Sequence, residues 1–232
     1  MNAQHDFWTQ WVQDSVEWEV NKDNERRAHH VLDAIDRLAR PDPRTLDIGC
    51  GTGWLTTRLA TRGDATGVDL PTEPIAELGR RHPEITWQAG DFVALDLPGG
   101  YDAIVSLETV AHVPDQQRFV ARIAELLRPG GVVVLTTQNP TIWNRTSFLR
   151  PPGPGQIRNW PTRARLMELF EPYFALEPIR TCAPGGDRGW LRVLHSRPVN
   201  GSLRRVLGDE RWTATQERLG LGRSLVLVGT LR

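Results

Sequence analysis

A glycine-rich turn is the first segment of this sequence that indicates a ligand-binding site. Residues 46–55 read Leu-Asp-Ile-Gly-Cys-Gly-Thr-Gly-Trp-Leu, with glycines at positions 49, 51 and 53, between an apolar stretch and a helical pattern. A ligand can approach such a turn closely because glycine has no Cβ. Asp69 ends the next apolar stretch, 20 residues after Gly49, where nucleotide-binding α/β units read ribose hydroxyls. The pattern predicts a strand, a ligand-binding turn and a helix.

The spacing of these glycines discriminates between ligands. A dinucleotide fingerprint reads Gly-x-Gly-x-x-Gly and binds a pyrophosphate at the helix N-terminus. Here the third glycine comes one position early, and Asp47 precedes the first glycine by two residues. A carboxylate at the mouth of the turn suits a cationic ligand group better than a pyrophosphate. The alternatives are an ordinary tight turn without a ligand and the nicotinamide site of a reductase.

With Asp69 included, the segment resembles the cofactor-binding motif of the class I S-adenosylmethionine-dependent methyltransferases, which have a Rossmann-like fold. The resemblance implies S-adenosyl-L-methionine as cofactor and S-adenosyl-L-homocysteine as product. In that family an acidic residue after the third strand contacts the adenine amino group, and its neighbour donates a backbone hydrogen bond to the ring. Asp91 and Phe92 match this pattern, although Asp91 could instead cap a turn. The cofactor-binding residues implied so far are Asp47, Gly49, Cys50, Gly51, Gly53, Asp69, Leu70, Asp91, Phe92 and, at the end of the fourth strand, Leu107.

The stretch from Tyr101 to Asp115 is the second chemical signal. It resembles the same segment of the ubiquinone-biosynthesis O-methyltransferases, which carry a glutamate, a second acidic residue and an adjacent histidine before Val-Pro-Asp. Glu108 and His112 match and are the candidate catalytic residues, whereas the second acidic position holds Ala111. In that family the three side chains can hold a divalent cation. Because one ligand is missing here and Mg²⁺ favours octahedral oxygen coordination, we predict no required metal.

His112 is the candidate base. Methyl transfer is an in-line displacement at a sulfonium carbon, so the enzyme has to place the nucleophile and take its proton if it has one. A phenol or a sugar hydroxyl needs a base, and an imidazole with a pKa of about 6.5 can serve. The alternative is that His112 caps the following helix or packs against the cofactor.

The same family suggests residues around the rest of the site. Its N-terminal helices carry an Asn-x-x-Arg element whose arginine pairs with the methionine carboxylate, a contact that suits a bidentate guanidinium; Arg27 matches that arginine. Two regions cover the family's active site, and both contain tryptophans here: Trp8, Trp11 and Trp18 near the N-terminus, Trp143 and Trp160 after the fifth strand. Aromatic walls suit a flat or hydrophobic acceptor, although tryptophans can also anchor mobile segments to the core. The predicted substrate residues are Trp8, Trp11, Asn139 and Trp143.

Predicted strands and helices alternate along the chain and carry these candidate residues. Strands are predicted at 44–48, 64–69, 85–89, 101–106, 131–137, 174–181 and 224–231, and helices at 53–62, 72–81, 115–127, 162–171 and 201–218. Such alternation predicts an α/β fold of three layers, and the resemblance implies a mostly parallel, seven-stranded Rossmann-like sheet with an antiparallel C-terminal strand. We predict one domain over 1–232: a helical cap (1–40), a cofactor-binding core (41–137) and a substrate-side half (138–232). An insertion at about 183–221 caps the substrate site, forms a subunit contact or is a surface elaboration.

Composition limits the partners. The chain of 232 residues has 28 basic and 28 acidic side chains, so no general attraction to nucleic acid or to an anionic membrane is expected. Two cysteines are too few for a disulfide framework. The N-terminus carries no signal-peptide pattern, and no apolar run approaches 18 residues. These features predict a cytoplasmic protein without a membrane span, as a monomer or homodimer.

The resulting hypothesis is a methyltransferase that acts on a hydroxyl of a small molecule, phenolic, quinol-like or sugar. Transfer to nitrogen or carbon stays open because those enzymes use the same cofactor half. A non-catalytic, cofactor-binding regulatory protein is the alternative of another class. Methylation of RNA bases is disfavoured because the Asn/Asp-Pro-Pro-Tyr/Phe and catalytic-cysteine motifs are absent after the fourth strand.

Overall fold

The computed structural model describes residues 3–14 and 21–232. Val16 and Trp18, which the sequence places in the N-terminal helical region, lie outside the described residues. The helices are α1 (Ala3–Asp14), α2 (Lys22–Leu38), α3 (Trp54–Ala60), α4 (Thr72–Arg81), α5 (Gln116–Leu126), α6 (Pro140–Thr146), α7 (Arg163–Phe170), α8 (Gly189–Leu194), α9 (Arg197–Leu207) and α10 (Asp209–Arg218). The strands are β1 (Thr45–Ile48), β2 (Ala65–Asp69), β3 (Thr86–Ala89), β4 (Tyr101–Leu107), β5 (Leu127–Gln138), β6 (Phe174–Leu176), β7 (Arg180–Pro184) and β8 (Gly222–Leu231).

These strands form one mixed sheet with the order β3-β2-β1-β4-β5-β8-β6, and β7 also pairs with β8. The first five strands are parallel to one another, and β8 runs antiparallel to β5. The predicted Rossmann-like sheet with an antiparallel C-terminal strand is confirmed. The strand order reverses between β1 and β4, and ligands of open α/β sheets bind beside such a switch.

The sheet contains eight strands instead of the seven expected, because the strand predicted at 174–181 is interrupted. Leu176 pairs with Gly229 and Arg180 pairs with Val226, so β6 and β7 occupy successive lengths of the same edge of β8. Pro178 lies between them. Proline has no N–H to donate, which breaks the ladder of hydrogen bonds at this point.

Helices cover both faces of the sheet. On β4, Ile104 packs among residues of α5 and α7, whereas Ala103 and Val105 pack among residues of α2 and α3. Alternate side chains of a strand point to opposite faces, so β4 is buried on both sides, as a central parallel strand should be. The sheet therefore holds its carboxyl-end loops on a rigid base.

The insertion at 183–221 is helical and braces the edge of the sheet. Instead of one helix at 201–218, two helices meet at Gly208, which has a φ of 82°. The Glu217 carboxylate, on α10, accepts hydrogen bonds from Arg26 of α2 at 2.8 and 2.6 Å. The backbone oxygen of Glu217 accepts a hydrogen bond from the Thr181 hydroxyl of β7 at 2.8 Å. No helix in the described part of the chain combines the length and the apolar character needed to cross a membrane.

Candidate active site

A cavity of about 570 Å³ opens at the carboxyl ends of β1 to β4. Its floor is formed by Gly49, Gly51, Val68, Asp69, Leu70, Gly90, Asp91, Phe92, Leu107, Glu108 and His112. Its roof is formed by Gln4, Trp8, Trp11, Val12, Gln138, Trp143, Leu149, Gln156, Arg158 and Trp160. All residues of 183–221 are described and none of them lines the cavity, so the insertion does not cap this site.

Two glycines of the turn are needed for different reasons. Gly49 and Gly51 have φ values of 76° and 57°, the left-handed region that favours glycine. A Cβ on Gly49 would lie 2.0 Å from the Thr109 hydroxyl, whereas a Cβ on Gly51 would meet no atom within 4 Å. Gly49 therefore lets the turn pack against the loop after β4. Gly51 keeps the wall of the cavity open to a ligand.

Asp69 stands at the end of β2 beside this turn. Its two carboxylate oxygens accept hydrogen bonds from the N–H of Gly51, at 2.7 Å, and of Leu70, at 2.6 Å. Burial raises the pKa of Asp69 above its usual value, while these two backbone donors act to lower it. Each oxygen of an ionised carboxylate has about two lone-pair sites. The fixed carboxylate can therefore accept further hydrogen bonds, as from the two hydroxyls of a ribose.

The end of β3 provides the next wall. Asp91 is exposed and its Oδ1 accepts a hydrogen bond from the N–H of Val93 at 3.0 Å. Phe92 is buried and contacts the Phe119 ring edge to face, with 5.2 Å between the ring centres. Asp91 thus has a local turn bond, as the alternative interpretation expected, and still lines the cavity. The geometry accommodates both roles.

Five residues assigned to the site from the sequence do not line the cavity. One of them, Arg27, pairs with Glu108 from behind the wall, and the other four support the surrounding structure. The Asp47 carboxylate is buried under the turn and accepts a hydrogen bond from the Thr56 hydroxyl at 2.7 Å. Cys50 is buried among apolar residues, and burial raises the pKa of its thiol. Gly53 packs against Trp87 where α3 begins. Asn139 caps α6 and donates its side-chain amide to the Gly222 oxygen at 2.9 Å. Their placement supports the turn and the neighbouring helices rather than lining the cavity.

Glu108 and Arg27 form a pair at the end of β4. Glu108 has a φ of 58°, and its Oε1 accepts hydrogen bonds from Arg27 Nε at 3.1 Å and from the Thr136 hydroxyl at 3.0 Å. Arg27 also donates to Asn24 and to Ser224. A non-glycine residue in this backbone region is uncommon and often marks a functional site. The Glu108 carboxylate is therefore held beside Arg27 at the edge of the cavity.

His112 lines the cavity in a defined tautomer. Its Nδ1 lies 2.6 Å from the Ile157 carbonyl oxygen, which can only accept, so Nδ1 must carry the proton. In the neutral ring, Nε2 is then the free acceptor. The pKa of His112 is lowered from its usual value mainly because burial disfavours the charged ring. The ring meets Trp8 edge to face, with 4.8 Å between the centres.

The roof is attached to the floor by a few polar contacts. Gln4 of α1 donates to the His112 backbone oxygen at 2.8 Å. The Asn159 N–H donates to the Ala111 oxygen at 2.8 Å, and the Gln116 amide donates to the Asn159 oxygen at 2.7 Å. These bonds fix the segment that provides the aromatic wall, where the rings of Trp143 and Trp160 are centred 5.9 Å apart.

Several roof residues were not predicted from the sequence. Gln4, Gln138, Leu149, Gln156 and Arg158 line the cavity but belong to no motif, and most of them lie in an irregular segment without hydrophobic periodicity. Only the neighbouring tryptophans pointed to this region.

Comparison with known proteins identifies the family. The family model for a methyltransferase domain matches residues 24–173, and the chain therefore belongs to the methyltransferase family. The ubiquinone biosynthesis O-methyltransferase of Dechloromonas aromatica is 36% identical over 117 residues, which cover 47% of this chain and 50% of that protein. The chain thus spans about half the length of the curated relatives it matches. The predicted membership of the methyltransferase family is confirmed.

Solved structures share the fold. The N-methyltransferase NodS of Bradyrhizobium japonicum, in complex with S-adenosyl-L-homocysteine, has a TM-score of 0.68 at 15% identity, with 99% of each chain covered. The 1,6-didemethyltoxoflavin-N1-methyltransferase of Burkholderia thailandensis has a TM-score of 0.62 at 20% identity, with 98% of this chain and 86% of that chain covered. Family and fold together confirm S-adenosyl-L-methionine as the cofactor of this class.

The cavity fits that cofactor. Its volume falls within the range of about 300–1,000 Å³ typical of small-molecule sites. Three carboxylates that suit a cationic, hydroxyl-bearing ligand line its floor: Asp69, Asp91 and Glu108. The open space at Gly51 leaves the backbone accessible. We expect these residues, rather than those behind the wall, to contact the cofactor directly.

Proposed function

We propose that the protein transfers the methyl group of S-adenosyl-L-methionine to a hydroxyl of a small, flat acceptor, with His112 as the base. The observation that carries the proposal is the fixed tautomer of His112, whose Nδ1 faces the Ile157 carbonyl oxygen at 2.6 Å. The free Nε2 can take the proton of a hydroxyl bound between the floor and the aromatic roof. The cofactor supplies an electrophilic methyl on a sulfonium, which leaves as a neutral thioether.

The chain's part in this reaction is orientation and proton transfer. Trp143 and Trp160 suit the faces of a planar acceptor. Glu108, paired with Arg27, lines the floor beside His112. As the hydroxyl oxygen bonds to the methyl carbon and the carbon–sulfur bond breaks, the proton passes to His112 Nε2. A base aligned in this way contributes roughly 10²–10⁴-fold to a rate.

The Dechloromonas aromatica relative is named an O-methyltransferase, which supports transfer to oxygen. Phenolic, quinol-like and sugar hydroxyls are all compatible with the proposal. Transfer to nitrogen or carbon is the alternative, and a regulatory protein without turnover is the alternative of another class. The cytoplasmic location, the monomeric or homodimeric state and the lack of a nucleic-acid partner stay predictions.

The test is transfer of a labelled methyl group to a panel that holds a catechol, a hexose and an aromatic amine. We expect the catechol to be methylated and His112→Gln to lower kcat by at least about 100-fold, with the affinity for S-adenosylhomocysteine unchanged. His82→Gln is the control, because His82 ends α4 away from the cavity. Methylation of the amine alone, no turnover on the panel, or full activity of His112→Gln would each contradict the proposal.

A further inference from the structure

We propose that the acceptor carries an anionic group, a carboxylate on its hydroxylated aromatic ring, and that Arg158 binds this group. The inference rests on the proposed function and specifies its substrate class. It concerns a residue in the irregular segment between α6 and α7 that no motif identifies.

Charge is segregated within the cavity. The three carboxylates that line it, those of Asp69, Asp91 and Glu108, follow the ends of β2, β3 and β4. Arg158 is the only arginine or lysine among the described residues that line the cavity, and it lies in the roof. The acidic half suits a cationic cofactor. The half that faces the acceptor therefore offers a positive charge, which favours an anion.

The environment of Arg158 holds its side chain without neutralising it. Its Nη1 donates to the backbone oxygen of Arg150 at 2.6 Å, and its guanidinium lies 5.4 Å from the centre of the Trp160 ring. Within residues 3–14 and 21–232, no carboxylate forms an ion pair with it. A guanidinium presents five donors in a planar fork that matches a carboxylate, and only some of those donors are used here.

The segment of Ile157 and Arg158 both orients the candidate base, His112, and carries the cation. The carbonyl of Ile157 orients His112, and Arg158 is the next residue along the chain. The charge of Arg158 is also close enough to contribute to the lowered pKa of His112. A hydroxyl at His112 and an anion at Arg158 can therefore belong to one small ring. The indole of Trp160, which lies under the guanidinium, supplies an apolar surface for the aromatic ring of the acceptor.

The test compares 3,4-dihydroxybenzoate with its methyl ester, which has the same hydroxyls but no charge. Binding to the complex with S-adenosylhomocysteine is measured by calorimetry, so the readout does not depend on turnover. The variants are Arg158→Gln and Arg158→Lys. Arg150→Gln is the matched control, because Arg150 is exposed in the same segment and contacts Arg158 only through its backbone.

We expect the parent protein to bind the acid at least about tenfold more tightly than the ester, as one charge-assisted contact can provide. Arg158→Gln should lose this preference, Arg158→Lys should keep part of it, and Arg150→Gln should keep all of it. The ester and S-adenosylhomocysteine should bind all four proteins with similar affinity.

The proposal is overturned if the parent binds neither compound, if it binds both equally, or if Arg158→Gln keeps the preference. A loss of S-adenosylhomocysteine affinity in Arg158→Gln would instead assign Arg158 to the cofactor and would also overturn it. An acid bound through Arg158 but never methylated would count against the proposed reaction while supporting the anion site. The two proposals can therefore fail separately.

Discussion

Replacing Asp47 by asparagine should stabilise the protein, and most strongly at alkaline pH, even though Asp47 belongs to the glycine-turn motif. The side chain is 2% exposed, and its Oδ2 accepts a hydrogen bond from the Thr56 hydroxyl. Burial raises the pKa of Asp47 to about 7, and the nearby Asp69 carboxyl adds to the increase. Asparagine keeps the shape and an acceptor for Thr56, but it cannot ionise.

The magnitude follows from the shift in pKa. The rise from 3.8 to about 7 corresponds to about 4 kcal/mol at about 1.36 kcal/mol per unit. Because the native state keeps this proton where the unfolded chain has lost it, the stabilisation from the proton is complete below about pH 4 and is lost as the pH rises to about 7. The advantage of Asp47→Asn over the parent should therefore grow by about 2–3 kcal/mol between pH 5 and pH 8.

The assay is urea unfolding of the parent and the variant at the two pH values, with exposed Asp64→Asn as the control. Comparing the two proteins cancels the titration of groups that do not interact with Asp47. An advantage no larger at pH 8 than at pH 5 would show that the pKa of Asp47 is not raised by burial. The same variant also tests the sequence-based assignment of Asp47 as a cofactor ligand, since a direct contact requires that affinity for S-adenosylhomocysteine falls sharply.

Three further predictions concern the turn, the base and the insertion. Gly51→Ala and exposed Gly208→Ala should each lose about 1 kcal/mol of stability, because both positions have positive φ, but only Gly51→Ala should weaken binding of S-adenosylhomocysteine in calorimetry. The acid limb of kcat/KM, which reports the free enzyme, should lie below pH 6.5 because the pKa of His112 is lowered, and a limb above that value would contradict the assignment. Glu217→Gln should lower the free energy of unfolding in urea by about 3 kcal/mol at neutral pH, because it breaks a buried ion pair with Arg26. Glu210→Gln removes an exposed partner of the same arginine and should change that free energy little. Equal losses in the two variants would contradict the role given to burial.

The cofactor half could be predicted because its signals are local in the sequence. The glycines form the turn between β1 and α3 that their spacing predicted, and Asp69 ends β2 where a ribose-reading carboxylate was expected. Strand and helix patterns also placed β1 to β5 in one parallel sheet. Each of these signals depends on a few neighbouring residues, which is why a single sequence carries them.

The roof of the cavity depends on contacts between distant parts of the chain. Gln4 reaches the backbone of His112, and no periodicity in either segment predicts that bond.

Asn139 was assigned to the substrate side, but Asn139 followed by Pro140 is a helix start, and the structure has α6 there. The break between β6 and β7 likewise had a local cause in Pro178 that the sequence shows.

Calorimetric titration with S-adenosylhomocysteine shows whether the cavity binds the cofactor of a methyltransferase. The parent protein should bind it with micromolar affinity, Asp69→Ala should bind it at least about tenfold more weakly, exposed Asp64→Ala should match the parent, and NAD should not compete. Well-folded parent protein that binds no S-adenosylhomocysteine, or from which NAD displaces it, would contradict the account.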